Sequence, residues 1–134
     1  MDDQIIPGMQ RLLAAFRSRG FPVVHVTTAY QVTDVENPHT DMGLWHKKIP
    51  VDAVDSRIAP IEGEQVLLKK CASSFQGTYL ANFLRSSGVD TILVTGVTAS
   101  ACVRTTVCYV IAECFRPIIV KECVGDRIPG AVAW

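Results

Sequence analysis

The pattern that most constrains this chain is a repeated alternation of short, β-branched apolar runs with stretches of helical period. Residues 22–28 (PVVHVTT), 91–95 (TILVT) and 117–121 (PIIVK) are almost continuously apolar, as strands covered on both faces are. Val66 to Lys69 reads as a further strand. Helical periods lie between them. Met9, Leu12, Leu13 and Phe16 fall at i, i+3, i+4 and i+7 and predict a first helix that ends at Gly20. Leu80, Phe83 and Leu84 predict a second that stops at Gly88, and Val103, Val107, Val110 and Ile111 predict a third with one apolar face. Strands joined through helices cannot be hairpins; they lie parallel, wound right-handedly, with helices on both faces. The expected class is α/β: a three-layer α/β/α open parallel sheet forming a single domain over residues 1–134.

Charge narrows the function. Thirteen basic residues balance thirteen acidic ones and are interspersed with them, leaving no footprint for nucleic acid or an anionic membrane. No apolar run reaches membrane-spanning length, and MDDQIIPGMQR lacks the basic flank and apolar run of a secretion signal. A cytoplasmic protein acting on a small-molecule substrate is expected. The five cysteines (Cys71, Cys102, Cys108, Cys114, Cys123) form an odd set without a CxxC pair, which fits reduced thiols better than a disulfide framework or a zinc site. A nucleotide-binding reading fails because no G-x-G-x-x-G follows a strand.

Open parallel sheets collect ligands at the carboxyl ends of their strands. After TILVT the sequence runs GVTASACVRTT, a glycine turn that delivers Cys102 to about the first turn of a helix. Unpaired N–H groups and the helix dipole favour an anion there, so a thiolate would be stabilised. From position alone, Cys102 is equally compatible with a packed core thiol. The irregular stretch from Ala29 to Pro60 reads as a long surface excursion of the kind that covers a binding site.

Two motifs carry a likeness to a known family. K-x-x-x-S-x-F-x-G-T begins at Lys69, and T-G-V-T-x-x-x-C-V spans Thr95 to Val103, in that order, followed by FRPIIVKECVGDR. Together they resemble the cysteine hydrolases of the isochorismatase-like superfamily, with a closer likeness to its carbamoylsarcosine-type amidohydrolases than to its nicotinamidases. The resemblance implies a triad of Asp, Lys and Cys in which Cys102 attacks a carbonyl carbon, an Asp takes the thiol proton and Lys69 supports the ionised state. Ammonia leaves, and water then releases the acid. Lys70 projects to the opposite face of a strand from Lys69 and is not the choice.

The likeness also implies an oxyanion hole made by the backbone N–H groups of Cys102 and Thr98, a cis peptide between Val97 and Thr98, and a substrate carboxylate held by Arg127. Outside that context Arg127 reads equally as a surface arginine. Phe75 and Trp45 are candidate walls of the substrate pocket, or plain packing residues. No cofactor is implied. His39, Asp41 and His46 invite comparison with the metal site of nicotinamidase relatives, but the DWH-type motif is absent and no metal is expected. A homo-oligomer, commonly a tetramer, is what the resemblance suggests.

The same family begins with a strand ending in the catalytic Asp, and no such strand precedes Met9. Asp2 and Asp3 lie ahead of a helix rather than after an apolar strand, so neither is assigned to the triad. The chain is therefore expected to lack the first, central strand of a sheet ordered 3-2-1-4-5-6 and, ending at IPGAVAW, the family's last helix and strand. Expressed alone it is expected to fold poorly and to hydrolyse little amide, its open strand edges inviting another chain. An isochorismatase, which does not depend on a cysteine nucleophile, and a non-catalytic interaction subunit are the alternatives.

Overall fold

The computed structural model describes residues 2–28 and 54–132. Four strands and three α-helices alternate along them: α1 (Asp2–Arg17), β1 (Val24–Thr28), β2 (Gln65–Lys69), α2 (Leu80–Ser86), β3 (Thr91–Val97), α3 (Arg104–Ala112) and β4 (Arg116–Gly125). A 3-10 turn at Ser56–Ile58 gives the end of the long excursion a regular shape, capped by the Asp55 carboxylate. Trp45, His39, Asp41 and His46 lie outside the described residues.

All pairing is parallel. β1 pairs with β2 in the register Val24↔Gln65 to Thr28↔Lys69, and β3 pairs with β4 from Thr91↔Arg116 onwards. Among the described residues these are two separate two-stranded sheets. A cavity of about 1000 Å³ is lined by β1, β3 and α1 together. Of the expected sheet, the described residues thus supply two adjacent pairs.

The layering can be read from β4, where neighbouring residues point to opposite faces. Cys123 packs with Ile5, Ile6 and Met9 of α1, whereas Val124 packs with Leu80 and Leu84 of α2, Val110 of α3 and Leu67 of β2. Helices therefore cover both faces of the β3–β4 pair, and the second core reaches across to β2. α1 comes very close to the strand: a Cβ on Gly8 would stand 2.7 Å from the carbonyl oxygen of Glu122 and 3.1 Å from Cys123 Sγ. Only a residue without a side chain allows that approach.

α2 ends as the sequence implies. Gly88 takes φ +68°, and its neighbour Val89 donates to Leu84 O at 3.0 Å, closing a Schellman motif. α3 ends the same way with Cys114 in the glycine position, at φ 64°, and Phe115 N–H on Val110 O at 2.9 Å.

Three expectations are corrected. Ile111 does not share the apolar face of α3: the buried stripe runs through Val103, Thr106 and Val110, and Ile111, one residue and about 100° further round, is 60% exposed. β4 runs to Gly125 rather than Lys121, through a bulge in which β3 advances from Val94 to Gly96 while β4 advances from Ile119 to Val124. The strands are also not buried on both faces throughout. Val26, Val66 and Leu68 are exposed, whereas His25, Thr27, Leu67 and Lys69 are buried. In the register of the pair His25 and Thr27 share one face with Val66 and Leu68, and Leu67 and Lys69 share the other with Val26, so the described residues cover β1 on one face and β2 on the opposite one.

Among the described residues no helix is long and apolar enough to cross a membrane.

Candidate active site

Lys69 closes β2 on the same face as Leu67, two residues earlier, and follows it into the interior. It is buried, whereas Lys70 is exposed. A buried ammonium requires partners, and Lys69 Nζ has three: Cys71 O at 2.8 Å, Ala72 O at 3.1 Å and Cys102 Sγ at 3.4 Å. Two carbonyls fix the cation, and its third direction is spent on sulfur.

Cys102 arrives from the carboxyl end of β3. The Val97–Thr98 peptide is cis, and residues Ala99–Val103 then form a π-type turn that leads into α3. Thr98 O accepts from the amides of Ala101 at 3.2 Å and Val103 at 3.0 Å, three and five residues on, and passes over the amide of Cys102. Turns of this i→i+5 kind concentrate at functional sites. Here the turn carries the residue whose sulfur faces Lys69.

Around this pair the cavity is closed by Ser74, Phe75, Val103 and Thr106. Phe75 serves both readings offered by the sequence, since it lines the cavity with Cys102 and also packs in the core against Phe115, with ring centroids 6.3 Å apart. Arg127 is exposed on the turn after β4 and does not line the cavity. No group of three metal-ligating side chains occurs among the described residues.

Three features were not read from the sequence. Thr106, one turn beyond Cys102, accepts the Ser74 amide at 3.2 Å and shares a hydroxyl bond of 3.3 Å with Ser74, tying the loop after β2 to α3 in a buried position. Asp126 accepts the Ser100 amide at 2.6 Å, across 26 residues of sequence. Glu64 joins α1, β1 and β2 by accepting from Arg17 at 2.7 and 2.9 Å and from His25 Nε2 at 2.7 Å. All three are long-range pairings of ordinary polar residues. Only the proximity of K-x-x-x-S-S to the cysteine motif in the fold could have hinted at the first.

A parallel α/β domain with a cysteine–lysine pair at the carboxyl ends of two strands is the class that the fold and the site define. The comparisons name it further: the isochorismatase domain matches residues 2–133, and the chain belongs to the isochorismatase-like cysteine hydrolase family. It is 47% identical to N-carbamoylsarcosine amidase of Arthrobacter sp. over 98% of its length, covering 53% of that protein. It is 41% identical to maleamate amidohydrolase of Pseudomonas putida over 87% of its length, covering 57% of that protein. The chain thus spans about half the length of the curated relatives it matches. The crystal structure of N-carbamoylsarcosine amidase from Thermoplasma acidophilum superposes with a TM-score of 0.84 at 31% identity, covering 96% of this chain and 74% of that one.

Proposed function

We propose that this chain carries the nucleophile and the lysine of an amidohydrolase acting on a linear amide or ureido group of a small, carboxylate-bearing molecule. The observation that carries the reading is the 3.4 Å contact between buried Lys69 Nζ and Cys102 Sγ beside a cavity at the strand ends. Cys102 sulfur adds to the carbonyl carbon as its proton passes to a carboxylate. The oxyanion that forms is held by the amides of Cys102 and Thr98, where each such donor contributes about 3 kcal/mol. Collapse, with that carboxyl handing its proton to nitrogen, expels ammonia and leaves a thioester. The carboxylate then takes a proton from water, which hydrolyses the thioester to the acid, and the proton returns to sulfur as the free thiol. Lys69 lies against the sulfur throughout, and Arg127, on the exposed turn outside the cavity lining, is assigned to the substrate carboxylate from the likeness alone. The curated relatives, named for N-carbamoylsarcosine and maleamate, suggest this substrate class.

The carboxylate belongs, in this reading, at the end of a further parallel strand between β1 and β3. The cavity of about 1000 Å³ is lined along one side by β1 and along another by β3, strands of five and seven residues. Such a strand, parallel to its neighbours, would end beside Lys69 and Cys102.

Ammonia release from N-carbamoylsarcosine and from maleamate, with Cys102→Ser as control, tests the reading against pyruvate release from isochorismate. Ammonia release abolished by Cys102→Ser supports it, whereas pyruvate release insensitive to that change overturns it. A non-catalytic partner role is favoured by one observation, that no carboxylate among the described residues bonds to Cys102. Copurification with a full-length relative, without labelling of Cys102 by a thiol-reactive substrate analogue, would establish that role instead.

A further inference from the structure

We propose that Asp126 is a positioning residue for the Cys102 turn, its carboxylate clamping the start of that turn to the end of β4. The inference rests on the reading of Cys102 as nucleophile and adds a residue to which neither the motifs nor the likeness gave a role.

The register of the sheet brings the two together. After the bulge in β4, Val97 pairs with Gly125, so the next residues of the two strands, Thr98 and Asp126, leave the sheet side by side. Thr98 occupies the capping position of the Ala99–Val103 turn, yet its side chain makes no capping bond. The first amides of a helical turn have no partner within it, and an acceptor must come from elsewhere. Here it comes from β4: Asp126 Oδ2 accepts the Ser100 amide at 2.6 Å, while Oδ1 accepts the Ile128 amide at 2.9 Å. These bonds, Ser100 foremost, hold the carboxyl down at about 2, so it is ionised and acceptor-only at neutral pH.

One carboxylate therefore fixes two turns. The first carries Cys102, and the second carries Arg127 between Asp126 and Ile128. With Ser100 engaged by Asp126, and with Ala101 and Val103 engaged by Thr98 O, the turn that carries Cys102 is tied to the ends of both strands. The charged groups bonded to this turn among the described residues are Lys69 at the sulfur and Asp126 at Ser100. Loss of the clamp would free the turn and with it the alignment of sulfur on Lys69.

The test is the iodoacetamide labelling rate of Cys102 relative to exposed Cys108 at neutral pH, read by mass spectrometry in the chain, Asp126→Ala and Asp126→Asn. Asp126→Ala should lower the ratio about tenfold or more, as expected when a charge-assisted bond is lost, and Asp126→Asn, which still offers one acceptor oxygen to Ser100, should restore it to within about threefold. Buried Cys123 should stay unlabelled, which a general loosening of the fold would not allow. An unchanged ratio in Asp126→Ala overturns the proposal. So does a raised ratio, the sign expected if the carboxylate acted on sulfur through charge alone. Should Asp126→Ala unfold, hydrogen exchange in the unaltered chain decides. Ser100 N–H protected about tenfold or more over an open-chain rate supports the clamp, and the open-chain rate refutes it. A parent chain in which Cys102 reacts no faster than Cys108 would instead defeat the nucleophile reading itself.

Discussion

Glu64 offers the sharpest energetic test, because its contribution can be worked from the structure and given a sign. Its side chain is 8% exposed and accepts four hydrogen bonds, two from Arg17, one from His25 Nε2 and one from the Ile61 amide at 3.0 Å. Arg17 foremost, then the Ile61 amide and His25, hold its carboxyl at about 2 against the upward pull of burial, from an ordinary value of 4.5. At 1.36 kcal/mol per pH unit this is a ceiling of about 3 kcal/mol, which water at the 27% exposed Arg17 side chain reduces to roughly 2. A depressed carboxyl stabilises the fold above its unfolded value, so the contribution is complete above pH 4.5 and lost as pH falls towards 2. Glu64→Gln presents an amide N–H₂ where a carboxylate oxygen accepted bonds. At pH 7 it should reduce unfolding free energy by about 2 kcal/mol, a urea midpoint lower by about 1 M. The difference from the parent chain should close between pH 4.5 and 2. Asp55 and Asp126, whose carboxyls also lie near 2, titrate in both chains and cancel from the comparison. A difference that stays constant over this range would refute the linkage.

Two further substitutions probe the packing. Gly8→Ala should destabilise by about 1–3 kcal/mol in urea unfolding, because its Cβ would meet the Glu122 carbonyl at 2.7 Å and push α1 off β4. Cys114→Gly should raise the melting temperature by about 3 °C, since glycine relieves the left-handed backbone that ends α3 and gives back part of the gain as unfolded-chain entropy.

Much of the fold was legible because the decisive signals are local. Gly88 ends α2 and Gly20 follows α1 by residue chemistry alone, and alternation along β2 was enough to prefer Lys69 to Lys70. Cys102 at the opening of a helix follows from a strand, a glycine and a resumed helical period. What could not be read depends on distant residues. The bulge in β4 has no glycine or proline on its own stretch; its one mark is Gly96 across the pair in β3, at φ +112°, which in sequence reads as a turn, and it is this bulge that sets Asp126 beside Ser100. Ile111 fits the apolar period of α3, but the buried stripe is centred on Val103, Thr106 and Val110, and a polar threonine did not announce that centre. Val26 and Leu68 look like core residues, yet each lies where the cover reaches only the neighbouring strand: Leu67 and Lys69 are buried on the face of Val26, and His25 and Thr27 on the face of Leu68. The ties of Glu64 to Arg17 and His25, and of Ser74 to Thr106, join polar residues whose sequence neighbours give no hint of a partner.

The reactivity order of the five cysteines is the most direct measure of whether Cys102 is poised to attack. Cys108 and Cys114 are exposed, whereas Cys102 is only partly so, and accessibility alone would label the first two sooner. Mass spectrometry after a short iodoacetamide pulse at neutral pH should instead find Cys102 modified about tenfold faster than either, with the advantage lost in Lys69→Met, where the adjacent ammonium is gone. Labelling that follows exposure, with Cys102 behind Cys108 and Cys114 and indifferent to Lys69, would contradict a thiolate held for catalysis at this position.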